Sequence, residues 1–516
     1  MRIRLLNGES ALAQGITELI RRLNLEKKAG DLTVKAVLRG EDGYTFSRAD
    51  GSSYKICYHA RHEFFMALAR IISGESRGTA ARRLDAGFLL DCAKNAVPNA
   101  DTLKRTVVNL ALCGYSQLYL YVEDCIAVPG EERLGYMRGR FTADEIREID
   151  AYCRLFGIAL IPCIQTLGHY AGLFYSHVAQ YLPIYEYEDT ILAENEPTYQ
   201  FLTHIIQWVS GCFSSGRIHI CLNDAKQTGL GEYLKKNKYK PRASILKTHI
   251  DRVCAICEAY GLAPVMWTDM LVEDDTLDPQ GLKNLIADLP KNLTFMCYDD
   301  YKKSEFLYEK LLKSNIKAFE TPIFCCNINN WLGFAPLNYL TDTRLVPALD
   351  ACVKLGIDRV VFTAWAEAGG ESAQLSVLPS LLRLSDEIYA FDGGRRTDRL
   401  AKLLTGYTPD ELMCLDLPNT VPGCDRARPA NPAKYLLYED PILSHYLINA
   451  DETYRQYYLS RAETLRALSR RKSPYAYLFV TLYRLCAALA DKCLLSAEIE
   501  GCYRAKNAAG LKEIAA

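Results

Sequence analysis

The chain has 516 residues, with 61 Lys plus Arg against 62 Asp plus Glu and a formal net charge of −1. That length exceeds one hydrophobic core and implies about three domains, while the balanced charge supplies no long-range field to gather nucleic acid or an anionic membrane. Hydrophobic residues at 49% and charged residues at 24% exclude disorder, and no uninterrupted apolar run reaches the roughly 18 residues of a membrane span.

Residues 1–80 read as a small α+β domain. A helical pattern runs from Ser10 to Leu25, TVKAVL (33–38) and SYKICY (53–58) have strand character around a turn at Glu41 to Gly43, and residues 62–72 return to helical spacing. Residues 73–79 are expected to be a linker. The first ten residues contain no apolar h-region or cleavage site, so no secretion signal is expected.

Residues 81–393 change character, to short apolar runs each followed by an amphipathic stretch. The runs are 87–91, 117–122, 158–164, 217–222, 263–267, 293–298, 316–320 and 359–365. Eight such units are the count of a (β/α)8 TIM barrel, and continuous apolar strands suit a parallel sheet buried on both faces. An open doubly wound sheet is the alternative, but no GxGxxG or GxxxxGK[ST] opens a helix. From 394 to 516 strand signals stop, and long amphipathic stretches predict a helical C-terminal region. The fold class is therefore α/β, a barrel preceded by a small α+β domain and followed by helices.

Nineteen cysteines are scattered along the chain. The CxxC formed by Cys254 and Cys257 has no second pair or His cluster at zinc-ligand spacing, so neither a metal nor a cofactor is expected, and buried reduced thiols are. With no secretion signal, the expected compartment is a reducing cytoplasm.

Reactive groups of a barrel lie at the C-terminal ends of its strands. Those positions carry Asp91, Lys94, Glu123, Asp124, His169 (after Gln165), Asn223, Asp224, Trp267, Asp269, Tyr298, Asp299, Tyr301, Glu320, Trp331, Trp365, Glu367 and Glu371. Carboxylates beside Trp faces are what a pyranose needs, because its C–H face stacks on an aromatic ring while acids act on the glycosidic oxygen and anomeric carbon. Asp144 and Asp342 read instead as helix caps, Trp208 as a core residue, and His169 reads equally well as a structural histidine.

The strings GFLLDCAKNAV (87–97), LYVED (120–124), GYMRGRFT (135–142), IPCIQTLGH (161–169), IHICLNDAKQTGLG (218–231), VMWTDM (265–270), WLGFAP (331–336) and TAWAEAGGES (363–372) resemble, in order, those of glycoside hydrolase family 20, the β-N-acetylhexosaminidases, on its intracellular hexosaminidase D-like branch. The resemblance implies a substrate-assisted mechanism, in which an Asp orients the 2-acetamido group and the adjacent Glu protonates the leaving oxygen. Asn223 and Asp224 stand at that pair, Lys94 at the family's sugar-binding Arg, and Asn329 at a Trp. Asn223 carries no charge to oppose a developing cation, and Asp224 is one methylene shorter than Glu.

Three readings follow. The first is an exo-glycosidase for a terminal sugar such as β-linked GlcNAc, GalNAc or a related hexoside, with altered specificity, in which Asp224 is the acid and Glu367, Glu320 or Asp299 opposes the charge. The second is an N-acetylhexosaminidase that tolerates the Asn-Asp pair. The third is a catalytically silent sugar-binding homologue. The expected partner is a small carbohydrate, without nucleic acid or membrane; the sequence leaves monomer and homodimer both open.

Overall fold

A computed structural model describes residues 1–175, 180–272, 279–299, 301–392, 396–423, 431–445 and 450–515. The chain forms two compact units: residues 1–327, 344–363 and 385–395 make the first, and 328–343, 364–384 and 396–516 the second.

The first unit opens with β1 (Arg2–Asn7), β2 (Asp31–Leu38), β3 (Tyr44–Asp50), β4 (Ser53–Tyr58) and β5 (Arg77–Arg82), joined late in the chain by β16 (Tyr389–Phe391) in a sheet of order β1-β2-β4-β3-β5-β16. Alternation explains its two faces. Val34, Ala36, Tyr44, Phe46, Tyr54, Ile56 and Tyr58 are buried, and helix Arg61–Ile72 packs on β3 and β4. The residues between them, Lys35, Ser47, Lys55 and Arg77, are exposed. The expected linker at 73–79 is corrected here, since Arg77 already begins β5; a Gly/Ser-rich string hid an edge-side strand whose buried positions are only Gly78 and Ala80.

The barrel is closed and parallel, from β6 (Asp85–Asp91), β7 (Gln117–Tyr121), β8 (Ala159–Cys163), β11 (Arg217–His219), β12 (Ala263–Trp267), β13 (Thr294–Tyr298), β14 (Ile323–Asn327) and β15 (Arg359–Ala364). A two-stranded hairpin, β9 (Tyr185–Tyr187) with β10 (Thr190–Ile191), enlarges the loop after β8. Nearly every strand residue is buried, the continuous apolar signature of a sheet covered on both sides.

One expected strand is displaced. Residues 316–319 end helix Glu305–Phe319, whose buried Tyr308, Leu312, Asn315 and Phe319 follow helical spacing, and the strand is Ile323–Asn327. A short apolar run fits either period, and the helical one won. Glu320 therefore caps a helix, exposed with φ 61°, and enters β14 rather than leaving it. This removes Glu320 from the strand ends where a site can form.

Helix Ala143–Phe156 is capped by Thr142 in a reciprocal box with Glu145, whereas Asp144 pairs with Arg147 at 2.7 Å. Thr142 is thus the cap expected of Asp144. Trp208 is buried in helix Glu196–Cys212.

In the second unit, Asp416 accepts from Asn338 Nδ2 and the Tyr339 backbone N–H, both at 2.8 Å. Helices Glu452–Ser469 and Tyr477–Arg504 pack together through Tyr458, Leu465, Leu482, Cys486 and Leu489. Among the described residues no helix is long and apolar enough to cross a membrane, and the eighteen described cysteines are free thiols. Burial pushes the Cys254 and Cys257 thiols up to about 12.

Candidate active site

Four consecutive strand ends of the first unit, those of β6, β7, β8 and β11, converge on one polar network. Lys94 Nζ meets Glu123 Oε1 at 2.7 Å, and Tyr121 Oη donates to the same oxygen at 2.9 Å. Gln165 Nε2 donates to Tyr121 Oη at 2.8 Å and to Asn223 Oδ1 at 3.0 Å. Asn223 Nδ2 lies 3.2 Å from Asp224 Oδ2 and 3.1 Å from His169 Nε2. His169 closes the circuit, with Nε2 3.3 Å from Asp224 Oδ2 and Nδ1 3.6 Å from Glu123 Oε1.

The backbone at these ends is strained. Fourteen described non-glycine residues have positive φ, and seven of them are Lys94, Asn95, Glu123, His169, Cys221, Leu222 and Asp224. Left-handed conformations in residues with a Cβ persist only where surrounding structure over-determines them, and they concentrate at functional sites.

That surrounding structure is identifiable. His249, buried on helix Arg242–Ala259, bonds the Thr166 carbonyl through Nε2 at 2.8 Å and meets Tyr199 Oη through Nδ1 at 3.3 Å. Burial lowers it to about 4, so it stays neutral, with the proton on Nε2 for the carbonyl. Thr166 Oγ1 donates to the Ile220 carbonyl at 2.7 Å. Gly168 lets the two loops touch, since a Cβ there would stand 2.8 Å from the Asn223 carbonyl oxygen. Buried Glu186 accepts from the backbone N–H groups of Gly229, Gly231 and Tyr233 at 3.1, 3.0 and 2.7 Å, fixing the loop after Asp224.

Electrostatics couple His169 to Asp224. Burial opposes a charged His169, but the Asp224 hydrogen bond and the Glu123 charge outweigh it and raise the imidazole above its ordinary value. The same hydrogen bond from His169 holds Asp224 below the usual carboxylate range, against burial. Each group thus favours the charged form of the other. Asp124 differs: burial raises it, Arg138 Nη2 sits 3.0 Å from its Oδ1, and its Oδ2 has no partner among the described residues.

The other expected residues are placed as follows. Asp91 is buried and accepts from the Ala93 N–H at 2.9 Å. Trp267 is only 2% exposed, its ring 4.5 Å from His219 and edge-on to Tyr298 at 6.1 Å. Asp269 begins the short helix Asp269–Val272 directly after it. Asp299 is ion-paired with Lys302 and accepts from the Tyr301 N–H at 3.1 Å, while the Tyr301 ring is exposed. Trp331, Trp365, Glu367 and Glu371 belong to the second unit. There Trp331 and Trp365 are partly exposed, Glu371 pairs with Lys434 at 2.5 Å and accepts from Tyr438 Oη at 2.9 Å, and the Glu367 side chain lies outside the described residues.

Sequence reasoning gave no role to Tyr121, Arg138 or His249. Tyr121 and Arg138 sit inside the family-like strings, which was their available signal. His249, a lone histidine on a helix, offered none.

The network of carboxylates, amides and an imidazole lies at the C-terminal strand ends of a (β/α)8 barrel, where enzymes of this fold carry their reactive groups. The Glycosyl hydrolase family 20 catalytic domain matches residues 86–322, and the Glycoside Hydrolase 20C C-terminal domain matches residues 410–516. The chain belongs to glycoside hydrolase family 20. It is 23% identical to Hexosaminidase D of Bos taurus over 230 residues, covering 41% of this chain and 66% of that one. It is also 23% identical to Beta-hexosaminidase subunit A2 of Dictyostelium discoideum, covering 36% and 37%. Thus it spans less than two thirds of each of these relatives. Similar solved structures include a GH20 exo β-N-acetylglucosaminidase of Vibrio harveyi with N-acetylglucosamine (13% identity, 80% of this chain and 74% of that one, TM-score 0.58) and a β-N-acetylhexosaminidase of Bacteroides fragilis (15%, 77% and 88%, 0.58).

Proposed function

We propose that the protein is a cytoplasmic exo-glycosidase of the family 20 type that removes a terminal hexoside, with a specificity shifted away from 2-acetamido sugars by Asn223. The observation that carries this reading is that both ends of the Asn223 amide are engaged within the site, Oδ1 by Gln165 Nε2 at 3.0 Å and Nδ2 toward Asp224 Oδ2 at 3.2 Å. An acetamido N–H needs an acceptor, and Asn223 offers only the second lone pair of a neutral oxygen that already accepts from Gln165. Reversing both amides would set Asn223 Oδ1 against Asp224 Oδ2, two acceptors facing each other. Absence of a negative charge at this position also removes the partner that would steady an oxazolinium cation.

Asp224 is the acid in this reading, and His169 is its proton source. A sugar that excludes water from the pair makes separated charges costly, which favours transfer of the His169 Nε2 proton to Asp224 Oδ2. Asp224 then passes the proton to the glycosidic oxygen as the C–O bond breaks and its electron pair moves to that oxygen, and a water adds to the anomeric carbon while its released proton returns to Asp224. Glu123, held by Lys94 and Tyr121, keeps the imidazole oriented and favours its recharging. Asp299 at the end of β13 is the carboxylate proposed to oppose the positive anomeric carbon, with Trp267 ending β12 and Tyr298 ending β13 directly before it in the chain. Free, largely buried cysteines support a reducing compartment.

A silent sugar-binding homologue is the competing reading, favoured by the lowering of Asp224 by its hydrogen bond from His169, which makes it a poorer proton donor. Aryl β-hexosides with and without the 2-acetamido group separate the two. Turnover of a 2-hydroxy hexoside at a rate well above its acetamido counterpart is the expected result; binding of either sugar without turnover would establish the silent protein.

A further inference from the structure

The N-terminal sheet carries an open face that no part of the catalytic reading uses. Across it, Lys35 on β2 is in register with Lys55 on β4, Lys55 with Ser47 on β3, and Ser47 with Arg77 on β5. All four are exposed, and at about 4.8 Å per strand step the row spans about 14 Å. Lys35, Lys55 and Arg77 make no ion pair among the described residues. Like charges directly opposite one another destabilise a sheet, so the Lys35 and Lys55 pair costs stability that no protein partner offsets. Violations of this kind fall where a site is kept for something else.

Beside the row lies a recess of about 250 Å³ lined by Lys55, Arg77, Thr45, Ser47, Thr79 and Asp392. Asp392 is the acidic group at its rim, and Arg70 pairs with it at 2.9 Å, which leaves the Lys55 and Arg77 charges in excess. Hydroxyls from Thr45, Ser47 and Thr79 surround two cations, more donors than the two oxygens of a carboxylate can use and suited to a group with three terminal oxygens. The aromatic residue that lines the recess, Phe46, is buried, so the face offers no platform for bases, and the chain's net charge of −1 provides no field to collect a nucleic acid.

We propose that this sheet face is a second carbohydrate site, which holds a sulfate-bearing oligosaccharide with a sulfate in the recess and further sulfates along the Lys35–Lys55–Arg77 row. It would anchor a sulfated glycan independently of the barrel chemistry.

Calorimetry on the full chain tests this with four probes of equal length: a heparin-derived octasaccharide, an oligogalacturonate, a neutral N-acetylglucosamine oligomer and a single-stranded oligonucleotide. The sulfated probe should bind tightest, weaken as salt rises from 50 to 300 mM, and lose at least tenfold in affinity in Lys55→Ala/Arg77→Ala and in Lys35→Glu. Melting temperature should not fall in these surface variants, since each relieves the Lys35–Lys55 repulsion, and hydrolysis of a small aryl glycoside should stay unchanged. Absence of sulfated-probe binding, binding that survives both variants, or equal or tighter binding of the carboxylated, neutral or nucleic-acid probe would each overturn the proposal.

Discussion

His169 and Asp224 form an ion pair, Nε2 to Oδ2 at 3.3 Å, between the loops that follow β8 and β11. Both residues are in left-handed backbone conformations, at φ 61° and 56°. Each favours the other's charged form, with His169 raised above the ordinary imidazole value and Asp224 lowered below the usual carboxylate range.

Removing either partner should therefore damage acid catalysis specifically. Asp224→Asn and His169→Ala are each expected to lower kcat by about 10² to 10⁴ on glycosides with poor leaving groups, and much less on aryl glycosides whose leaving oxygen needs no proton. Equal losses across a leaving-group series would show that Asp224 is not the acid.

The pair also sets a pH window. His169 is raised in the folded state, so its contribution to stability is complete below the unfolded imidazole value of about 6.5 and is lost as pH rises through its folded value. Asp224 is lowered, so its contribution is present above the unfolded carboxylate value of about 3.9 and is lost as pH falls through its folded value. Thermal melts of the wild type and of His169→Gln across pH 3 to 9 should differ most between those limits and converge at both extremes.

Restoring the acidic pair tests the specificity argument. Asn223→Asp with Asp224→Glu gives the acetamido group a charged acceptor while Gln165 Nε2 still has an oxygen to bond. Hydrolysis of N-acetylglucosaminide or N-acetylgalactosaminide should rise by on the order of a hundredfold, the usual scale of one preorganised stabilising group. A folded double variant with no gain would place the block elsewhere in the pocket.

Gly168 should tolerate no side chain. Its virtual Cβ stands 2.8 Å from the Asn223 backbone oxygen and 3.4 Å from the Ala225 Cβ, so Gly168→Ala pushes the two site loops apart. A displacement near 1 Å costs on the order of a hundredfold in rate. Steady-state kinetics should show this loss in kcat, with circular dichroism unchanged.

Much of the barrel was legible because its signal is local. Runs such as 117–122 and 263–267 are continuously apolar, as strands buried on both faces must be, and polar residues punctuate their ends. Where two periods fitted one short run, at 316–320, only packing decided, and it made Phe319 the buried end of a helix and Glu320 its exposed cap.

The amino-acid sequence by itself determined the fold class, the family and the identity of the residues at the strand ends, Asn223 and Asp224 among them. Tertiary structure alone decided which of those residues meet. Glu123, His169 and Asp224 are separated by 46 and 55 positions and come together because parallel strands of a closed barrel deliver their C-terminal ends to one rim. Charge state follows from that meeting and not from residue type: beside a buried imidazole an aspartate gives up its proton more readily than in water, and the acid becomes a pair.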